Sequence, residues 1–316
     1  MAVIQNVRFS DAEIGIYGAY LQGELERLDQ RNYDPIADFT WSRDIELRKD
    51  VAITDEYTSY IINKFFEGFN GTSTGKKAWI SDATTTPAQV SVANQKMLNP
   101  VTLWGGQVSY SIFELQKSQR AGRPIDEQKH NALRFKHQLD IDVQVYLGDE
   151  EVGVTGLLNN KDIETTNIGA WTDATTPNQV LGYFNDLLTE AWKRTEYTRI
   201  PNTLLVPPKV FSKLISTQLP NTNMNLLNFV KQNSLTNGNG GQLSINPVKW
   251  LATGHGLTND RIVAYTNSDD VVRFPLVQIQ QLPVQYQNFN MCVNYFGALG
   301  AVEFVRPEMV MYAELV

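Results

Sequence analysis

The chain has 316 residues, of which 42% are hydrophobic and 19% are charged. This composition excludes an intrinsically disordered chain and predicts one elaborate domain or two closely joined ones. The 27 Lys and Arg residues are outnumbered by 34 Asp and Glu residues. An acidic balance argues against a dedicated nucleic-acid binder, which carries a basic patch, but it allows a wall that encloses nucleic acid without gripping it.

The single cysteine, Cys292, excludes an intrachain disulfide, and its apolar neighbours predict a buried or half-buried structural thiol. Residues 1–10 contain no apolar segment of the signal-peptide type, so we expect no signal peptide. No run of the chain approaches the ~20 apolar residues that span a bilayer, so we expect no membrane partner.

Residues 1–35 have the pattern of an N-terminal arm. Gly15, Gly18 and Gly23 interrupt the helical spacing, and only residues 24–30 favour a short helix. Two interpretations stay open at this point. The segment is either an extension that lies along its own subunit or an arm that reaches a neighbouring subunit.

Residues 51–92 predict a long projecting β-hairpin. Aromatic and aliphatic residues alternate with polar ones over 51–66, and alternation resumes at 90–92. Between them, residues 67–77 and 81–87 are rich in Gly, Ser and Thr and poor in apolar residues. An exposed hairpin edge is an aggregation hazard unless a partner covers it, and we expect that partner to be the next subunit.

The strongest helical signal follows a strand predicted over 101–113 and a helix predicted over 111–120. Residues 124–147 predict an amphipathic helix of about six turns that begins near Pro124 and ends at Gly148. Its predicted apolar stripe consists of Ala132, Phe135, Leu139, Val143 and Tyr146.

From residue 155 onward the pattern alternates between helices and short strands. Helices are predicted over 179–194 and 209–216, and strands over 203–206 and 261–265. Residues 220–242 are predicted to be rich in loops, with a flexible turn at 237–241. Strands resume after Pro283 and continue to residues 310–312.

No pattern predicts catalytic, cofactor or metal chemistry, and we expect the protein not to be an enzyme. Residues 71–77 differ from a phosphate-binding loop in glycine spacing and in the residue that would hold magnesium. His130 and His137 are about 10 Å apart along the predicted helix, too far to bind one metal ion, and are interpreted as solvated or interface histidines. Asp140 and Asp142 are interpreted as solvated charges.

Several motifs, taken in order, resemble the major capsid proteins of tailed bacteriophages. The most telling is Gly156-Leu157-Leu158-Asn159, which follows the long helix. The other matching segments are Tyr110-Ser111-Ile112-Phe113-Glu114-Leu115, Gly122-Arg123, Tyr146-Leu147-Gly148-Asp149, residues 75–82 with Pro87, Asn202-Thr203-Leu204-Leu205-Val206-Pro207, and Arg306-Pro307.

The resemblance implies an α+β fold of the Hong Kong 97 type, with a peripheral domain (a long spine helix plus a β-sheet), an axial α/β domain, an extended β-hairpin loop and an N-terminal arm. It places the segments as follows: arm and entry to the peripheral domain at 1–51, extended loop at 52–100, peripheral domain with the spine helix at 101–154, axial domain at 155–285, and C-terminal return to the peripheral domain at 286–316.

The resemblance also implies a function as a self-assembling shell subunit that forms hexamers and pentamers of an icosahedral capsid around double-stranded DNA. The expected location is the virion, after assembly in the host bacterial cytoplasm. Expected partners are copies of the chain itself, with scaffolding, portal and decoration proteins as further candidates and no sequence-specific DNA contact. The candidate subunit-contact residues are Phe69, Lys76, Lys77, Trp79, Arg120 and Arg123.

Three alternatives remain open from the sequence. One is an encapsulin-like cellular compartment with the same fold, and another is a structural protein of a phage tail or neck. Gene context separates the first from a phage head, and tubes or rings instead of closed shells identify the second. The third is a hydrolase, for which loss of activity on mutation of His255 is the test.

Overall fold

The computed structural model describes residue 35 and residues 37–68, 89–121, 125–169, 175–220 and 222–315. The chain divides into two units at Asp38, and almost all of the described structure belongs to the unit Phe39–Val316. The predicted N-terminal arm and the tip of the predicted hairpin lie outside the described residues.

Within the described residues, a seven-stranded sheet has the order β1-β10-β12-β3-β2, with β11 added to β12 and β13 added to β10. Neighbouring strands are antiparallel except β1 and β10, which are parallel. The strands are β1 (Glu46–Arg48), β2 (Tyr57–Gly68), β3 (Gln89–Ser111), β10 (Val272–Gln281), β11 (Gln285–Gln287), β12 (Asn290–Gly300) and β13 (Glu303–Phe304).

A second sheet, five-stranded within the described part of the chain, has the order β6-β14-β9-β7-β8. A two-stranded ribbon of β4 and β5 follows the longest helix. These strands are β4 (Gly148–Asp149), β5 (Val154–Thr155), β6 (Thr165–Ile168), β7 (Thr203–Val206), β8 (Ser244–Pro247), β9 (Arg261–Tyr265) and β14 (Val310–Leu315).

The α-helices flank both sheets. They are α1 (Trp41–Asp44), α2 (Ile112–Ala121), α3 (Ile125–Tyr146), α4 (Pro177–Arg194), α5 (Pro208–Ser216), α6 (Leu226–Asn233) and α7 (Leu235–Gly238), with short 3-10 turns at Lys249–Leu251 and Pro307–Met309. The helix predicted over 124–147 is therefore confirmed as α3. No helix among the described residues is both long and apolar enough to cross a bilayer.

The buried face of α3 agrees only in part with the predicted stripe. Tyr146 is buried as predicted, whereas Phe135, Leu139 and Val143 are half-buried and Ala132 is exposed. His137, Ile141 and Val145, which the stripe did not include, are buried at a spacing of four residues. The sheet selects this face, because Gly106 of β3 leaves room for Leu133 and the ring of His137 packs edge-on against Trp104, with 4.6 Å between the centroids.

Asp142 of α3 is also buried, which makes its interpretation as a solvated charge wrong. Its carboxylate accepts hydrogen bonds from the indole Nε1 of Trp250 at 2.7 Å and from the backbone N–H of Thr40 at 3.2 Å. It also pairs with Lys249 at 3.2 Å. A buried carboxylate is tolerated here because its lone pairs are satisfied from several elements.

The region predicted to be loop-rich, residues 220–242, contains α6 and α7, so that prediction is wrong for these two helices, whereas the predicted turn is present at residues 239–240. Asn225 begins α6, because its side-chain oxygen accepts a hydrogen bond from the backbone N–H of Asn228 at 3.0 Å. Leu226 and Val230 of α6 are buried. The polar residues that suggested a loop therefore act partly as helix caps.

Elsewhere, Cys292 is buried, as predicted.

Candidate interaction surface

The hairpin predicted from the sequence is present as β2 and the first half of β3. Twelve residue pairs hold it, from Tyr57 opposite Pro100 to Gly68 opposite Gln89. The second half of β3 pairs with β12 inside the seven-stranded sheet. One strand of 23 residues thus belongs to both the projecting hairpin and the body of the subunit.

One face of this hairpin carries exposed apolar side chains, interrupted by the polar pair Asn63–Asn94 and by Lys96 opposite Ile61. Side chains two residues apart on a strand share a face, and so do directly opposed residues of an antiparallel pair. Phe65 lies opposite Val92, and Leu98 lies opposite Ser59 on the same side. Exposure ranges from 55% for Val92 to 75% for Phe65. We call this set the hairpin face: Tyr57, Ile61, Phe65, Val92 and Leu98.

The opposite side of the hairpin meets the body of the subunit only near its base. Thr58 is buried there, and the hydroxyl of Tyr60 donates a hydrogen bond to the backbone carbonyl of Phe304 at 2.9 Å. Farther along, Lys64 and Ser91 on this side are exposed. The subunit itself therefore supports the base of the hairpin and leaves the apolar face uncovered in the described structure.

A cluster of charged side chains lies under the hairpin base. Glu303 of β13 is fully buried between two arginines. Arg48 donates to it at 2.9 Å and Arg273 at 2.6 Å. Arg48 also binds Asp50, and this hydrogen bond holds the pKa of the Asp50 carboxyl below its usual value. The exposed end of the cluster is therefore ionised at neutral pH.

A second exposed apolar patch lies where β11, β12 and the start of α2 meet. The rings of Phe113 and Phe289 are 6.2 Å apart, and the backbone N–H of Ile112 donates to the carbonyl of Phe289 at 3.0 Å. Tyr286 is exposed beside them. Sequence reasoning did not identify this patch, because its members come from segments that are more than 150 residues apart.

The two histidines of α3 have different surroundings. His137 is buried, so its interpretation as a solvated or interface residue is wrong. Burial lowers the pKa of His137 below its ordinary value, and the nearby Asp140 carboxylate partly opposes this shift. His130 is half-buried, and its Nδ1 lies 2.7 Å from the hydroxyl of Tyr295. Nowhere in the described ranges do three or more His, Cys, Asp or Glu side chains form a group that could hold a metal ion.

Of the six predicted contact residues, the described structure contains Arg120. It is exposed at the end of α2. The other five fall outside the described residues: Phe69, Lys76, Lys77, Trp79 and Arg123.

The chain was compared with known protein families and solved structures. A family model described as major capsid protein matches residues 75–316. The chain belongs to the major capsid protein family. The recognition made from the sequence motifs is therefore confirmed, and so is the function as a capsid subunit.

Solved capsid structures share the fold of this capsid subunit. A chain of the capsid of Myoviridae phage XM1 is 15% identical, with a TM-score of 0.77 over 95% of this chain and all of that chain. A capsid chain of the native GTA particle is 11% identical, with a TM-score of 0.63 over 96% of this chain and 98% of that one.

A chain from Mycobacterium phage Ogopogo is also 11% identical, with a TM-score of 0.58 over 93% of this chain and 98% of that chain. At these identities the likeness establishes the fold, and the predicted α+β fold of the Hong Kong 97 type is confirmed. No curated protein sequence matches the capsid subunit.

Proposed function

We propose that the chain is the major head protein of a tailed bacteriophage and that copies of it form hexamers and pentamers of an icosahedral shell around double-stranded DNA. Its membership in the major capsid protein family supports this proposal. The proposed location is the virion, after assembly in the host bacterial cytoplasm.

The hairpin face is the observation that carries the self-assembly proposal. Five large apolar side chains lie on one side of a hairpin that the subunit supports only at its base. Removing a Phe or Ile side chain from water contributes about 1.5–3 kcal/mol, so covering this face with a second subunit is strongly favourable. An exposed strand pair of this kind is a liability unless assembly covers it.

The segments named from the sequence are proposed functional units of this subunit. They are the arm and entry at 1–51, the extended loop at 52–100, the peripheral domain at 101–154, the axial domain at 155–285, and the C-terminal return at 286–316. We also propose Phe69, Lys76, Lys77, Trp79, Arg120 and Arg123 as subunit contacts.

The proposed role is structural, without catalysis. The family is one of shell proteins, and their work is binding between subunits. DNA is proposed to be enclosed without sequence-specific contact, which agrees with the net charge of −7. Scaffolding, portal and decoration proteins are proposed as further partners. The encapsulin-like and tail or neck alternatives are not favoured, because the matching family is that of major capsid proteins.

The test is to place a charge on either face of the hairpin. Ile61→Glu introduces a carboxylate into the hairpin face, and Ser91→Glu introduces one on the opposite, exposed side. We expect I61E to reduce the yield of shells or capsomers by about tenfold or more, because losing the burial of one Ile side chain costs about 1.5–3 kcal/mol and each 1.4 kcal/mol is about a factor of ten. S91E should assemble like the unmodified chain, and both variants should keep the same melting temperature.

Assembly is measured by negative-stain electron microscopy and size-exclusion chromatography of the purified protein, with the neighbouring scaffold gene co-expressed where the chain alone stays monomeric. Equal assembly of I61E and the unmodified chain would contradict the role of the hairpin face. A chain that stays monomeric under both conditions would contradict the shell proposal itself.

A further inference from the structure

The cluster around Glu303 connects four strands at the hairpin base. Glu303 lies on β13 and is paired in register with Arg273 on β10. Arg48 reaches the same carboxylate from β1, which runs parallel to β10. The same guanidinium of Arg48 donates to the backbone carbonyl of Ser59 in β2 at 3.3 Å. Through Arg48, the buried carboxylate of Glu303 is thus connected to the backbone of β2 near the base of the hairpin.

Tyr60 makes the second connection between this cluster and the hairpin. Its hydroxyl donates to the carbonyl of Phe304, the residue after Glu303. The guanidinium carbon of Arg273 lies 5.9 Å from the centre of the Tyr60 ring, a distance at which a cation and an aromatic ring attract each other. Ser59 and Tyr60 are consecutive, so the cluster holds β2 through both its backbone and a side chain.

The other buried polar groups at the base do not provide such a connection. Thr58 and Asn99 face each other across the hairpin. Within the described residues, the hydroxyl of Thr58 is buried without a hydrogen-bond partner, and the side chain of Asn99 interacts with Tyr60 inside the hairpin itself. Besides the backbone of β3, which continues into the sheet, the side-chain interactions that hold the hairpin base are those of Arg48, Arg273 and Tyr60, and all three involve Glu303 or the residue after it.

We propose that Glu303 is a positioning residue, which sets the direction of the hairpin relative to the sheet and thereby aims the hairpin face at the neighbouring subunit. The link to assembly rests on the proposed function, whereas the effect on hairpin direction does not. Twelve residue pairs at about 3.4 Å each make a hairpin of roughly 40 Å. A change of about 10° at its base therefore moves the far end by roughly 7 Å, more than the width of one strand.

Glu303→Gln tests the proposal, because it keeps the shape of the side chain and removes the charge that two arginines share. The control is Glu314→Gln. Glu314 of β14 pairs with Arg261 at 2.5 Å in the other sheet, and its side chain is 23% exposed where that of Glu303 is fully buried. Arg48→Met is the second variant. It keeps the aliphatic stem, leaves Glu303 paired with Arg273, and remains informative if E303Q does not fold.

Hydrogen–deuterium exchange of the unassembled full-length chain is measured first. We expect E303Q and R48M to speed amide exchange at least fivefold in residues 57–60 and 97–99, with core strands β7 and β9 unchanged. E314Q should leave the hairpin amides as they are. Assembly is then examined by electron microscopy, where we expect fewer closed shells and more irregular particles for E303Q and R48M.

The proposal would be overturned if amide exchange in the hairpin were unchanged in both E303Q and R48M and if the melting temperature fell no more than in E314Q. Glu303 would then be an ordinary buried ion-pair residue. Faster hairpin exchange with unchanged shells would overturn only the link to assembly. The exchange measurement needs no assembled particle, so failure of the shell proposal would be recognised separately.

Discussion

His137 illustrates how the surroundings of one residue change its chemistry. It lies on α3 with its ring against Trp104, and it is 5% exposed. Within the described residues, its Nε2 has no hydrogen-bond partner. Desolvation disfavours the imidazolium, and this lowers the pKa of His137 even though Asp140 attracts the charged form.

This shift predicts a loss of stability in mild acid. The unfolded chain takes up a proton at His137 near the ordinary pKa of 6.5, whereas the folded chain does so only at lower pH. The free energy of unfolding should therefore fall as the pH drops below about 6.5, by at most about 1.4 kcal/mol per pH unit for this one group. Urea unfolding at several pH values measures it.

His137→Gln should flatten that pH dependence. The control is His255→Gln, since His255 is exposed in a loop. A pH profile for H137Q that runs parallel to that of the unmodified chain would mean that other groups dominate acid sensitivity.

At the scale of elements, the turn after α3 gives a physical reason for the Gly-Leu-Leu-Asn motif. The backbone N–H groups of Leu157 and Leu158 donate to the carbonyls of Val145 and Tyr146, the last residues of the helix. Asn159 donates to the carbonyl of Leu147 at 2.6 Å. The motif therefore satisfies the carbonyl groups that every helix leaves free at its C-terminal end.

Gly156 is required in this turn by close approach. A Cβ atom at Gly156 would lie 2.3 Å from the carbonyl oxygen of Tyr146. We expect Gly156→Ala to lower the free energy of unfolding by about 2–4 kcal/mol, since the turn must move away from the helix end.

Gly182→Ala is the control for this change, because the same methyl group meets open space within α4. It should stabilise the chain by about 0.5–1 kcal/mol through helix propensity. Thermal melting compares the two variants, and equal effects of G156A and G182A would refute the close-approach explanation.

At the scale of the whole molecule, the five-stranded sheet separates two hydrophobic cores and contributes to both. Leu205 of β7 belongs to the core beneath α3 and the seven-stranded sheet, whereas its neighbour Leu204 belongs to the core beneath α4, α5 and α6. β9 and β14 alternate in the same way. Because β7, β9 and β14 supply side chains to both cores, disrupting one core also disturbs the strands on which the other core packs.

This arrangement predicts a single unfolding transition for the unit Phe39–Val316. Leu204→Ala and Leu205→Ala each remove a fully buried side chain, one from each core, and each should cost about 2–5 kcal/mol. Both should shift one common transition seen by circular dichroism and by tryptophan fluorescence in urea. Two separate transitions, each moved by only one of the variants, would mean that the cores unfold independently.

The secondary-structure elements that depend on local sequence patterns could be predicted from the sequence. Period-two alternation identified the limbs of the hairpin, and helical spacing with Gly148 identified α3. The buried face of α3 could be predicted only in part, because its packing depends on Gly106 and Trp104 of β3. The burial of Asp142 depends on Trp250 and on Thr40, which are far away in the chain. The same limitation applies to Glu303, because one of its two partners, Arg48, is 255 residues away in the chain.

The continuity of β3 has a mechanical consequence. A pull along the hairpin axis passes through the covalent backbone of β3 into the seven-stranded sheet. There, eleven register pairs with β12, from Val101–Gly300 to Ser111–Asn290, bear the load side by side in shear. A force that peels β3 away from β12 would break these pairs one after another. A force along the strand axis must break many of the pairs at the same time. A tension directed along the hairpin axis is thus shared among these eleven pairs.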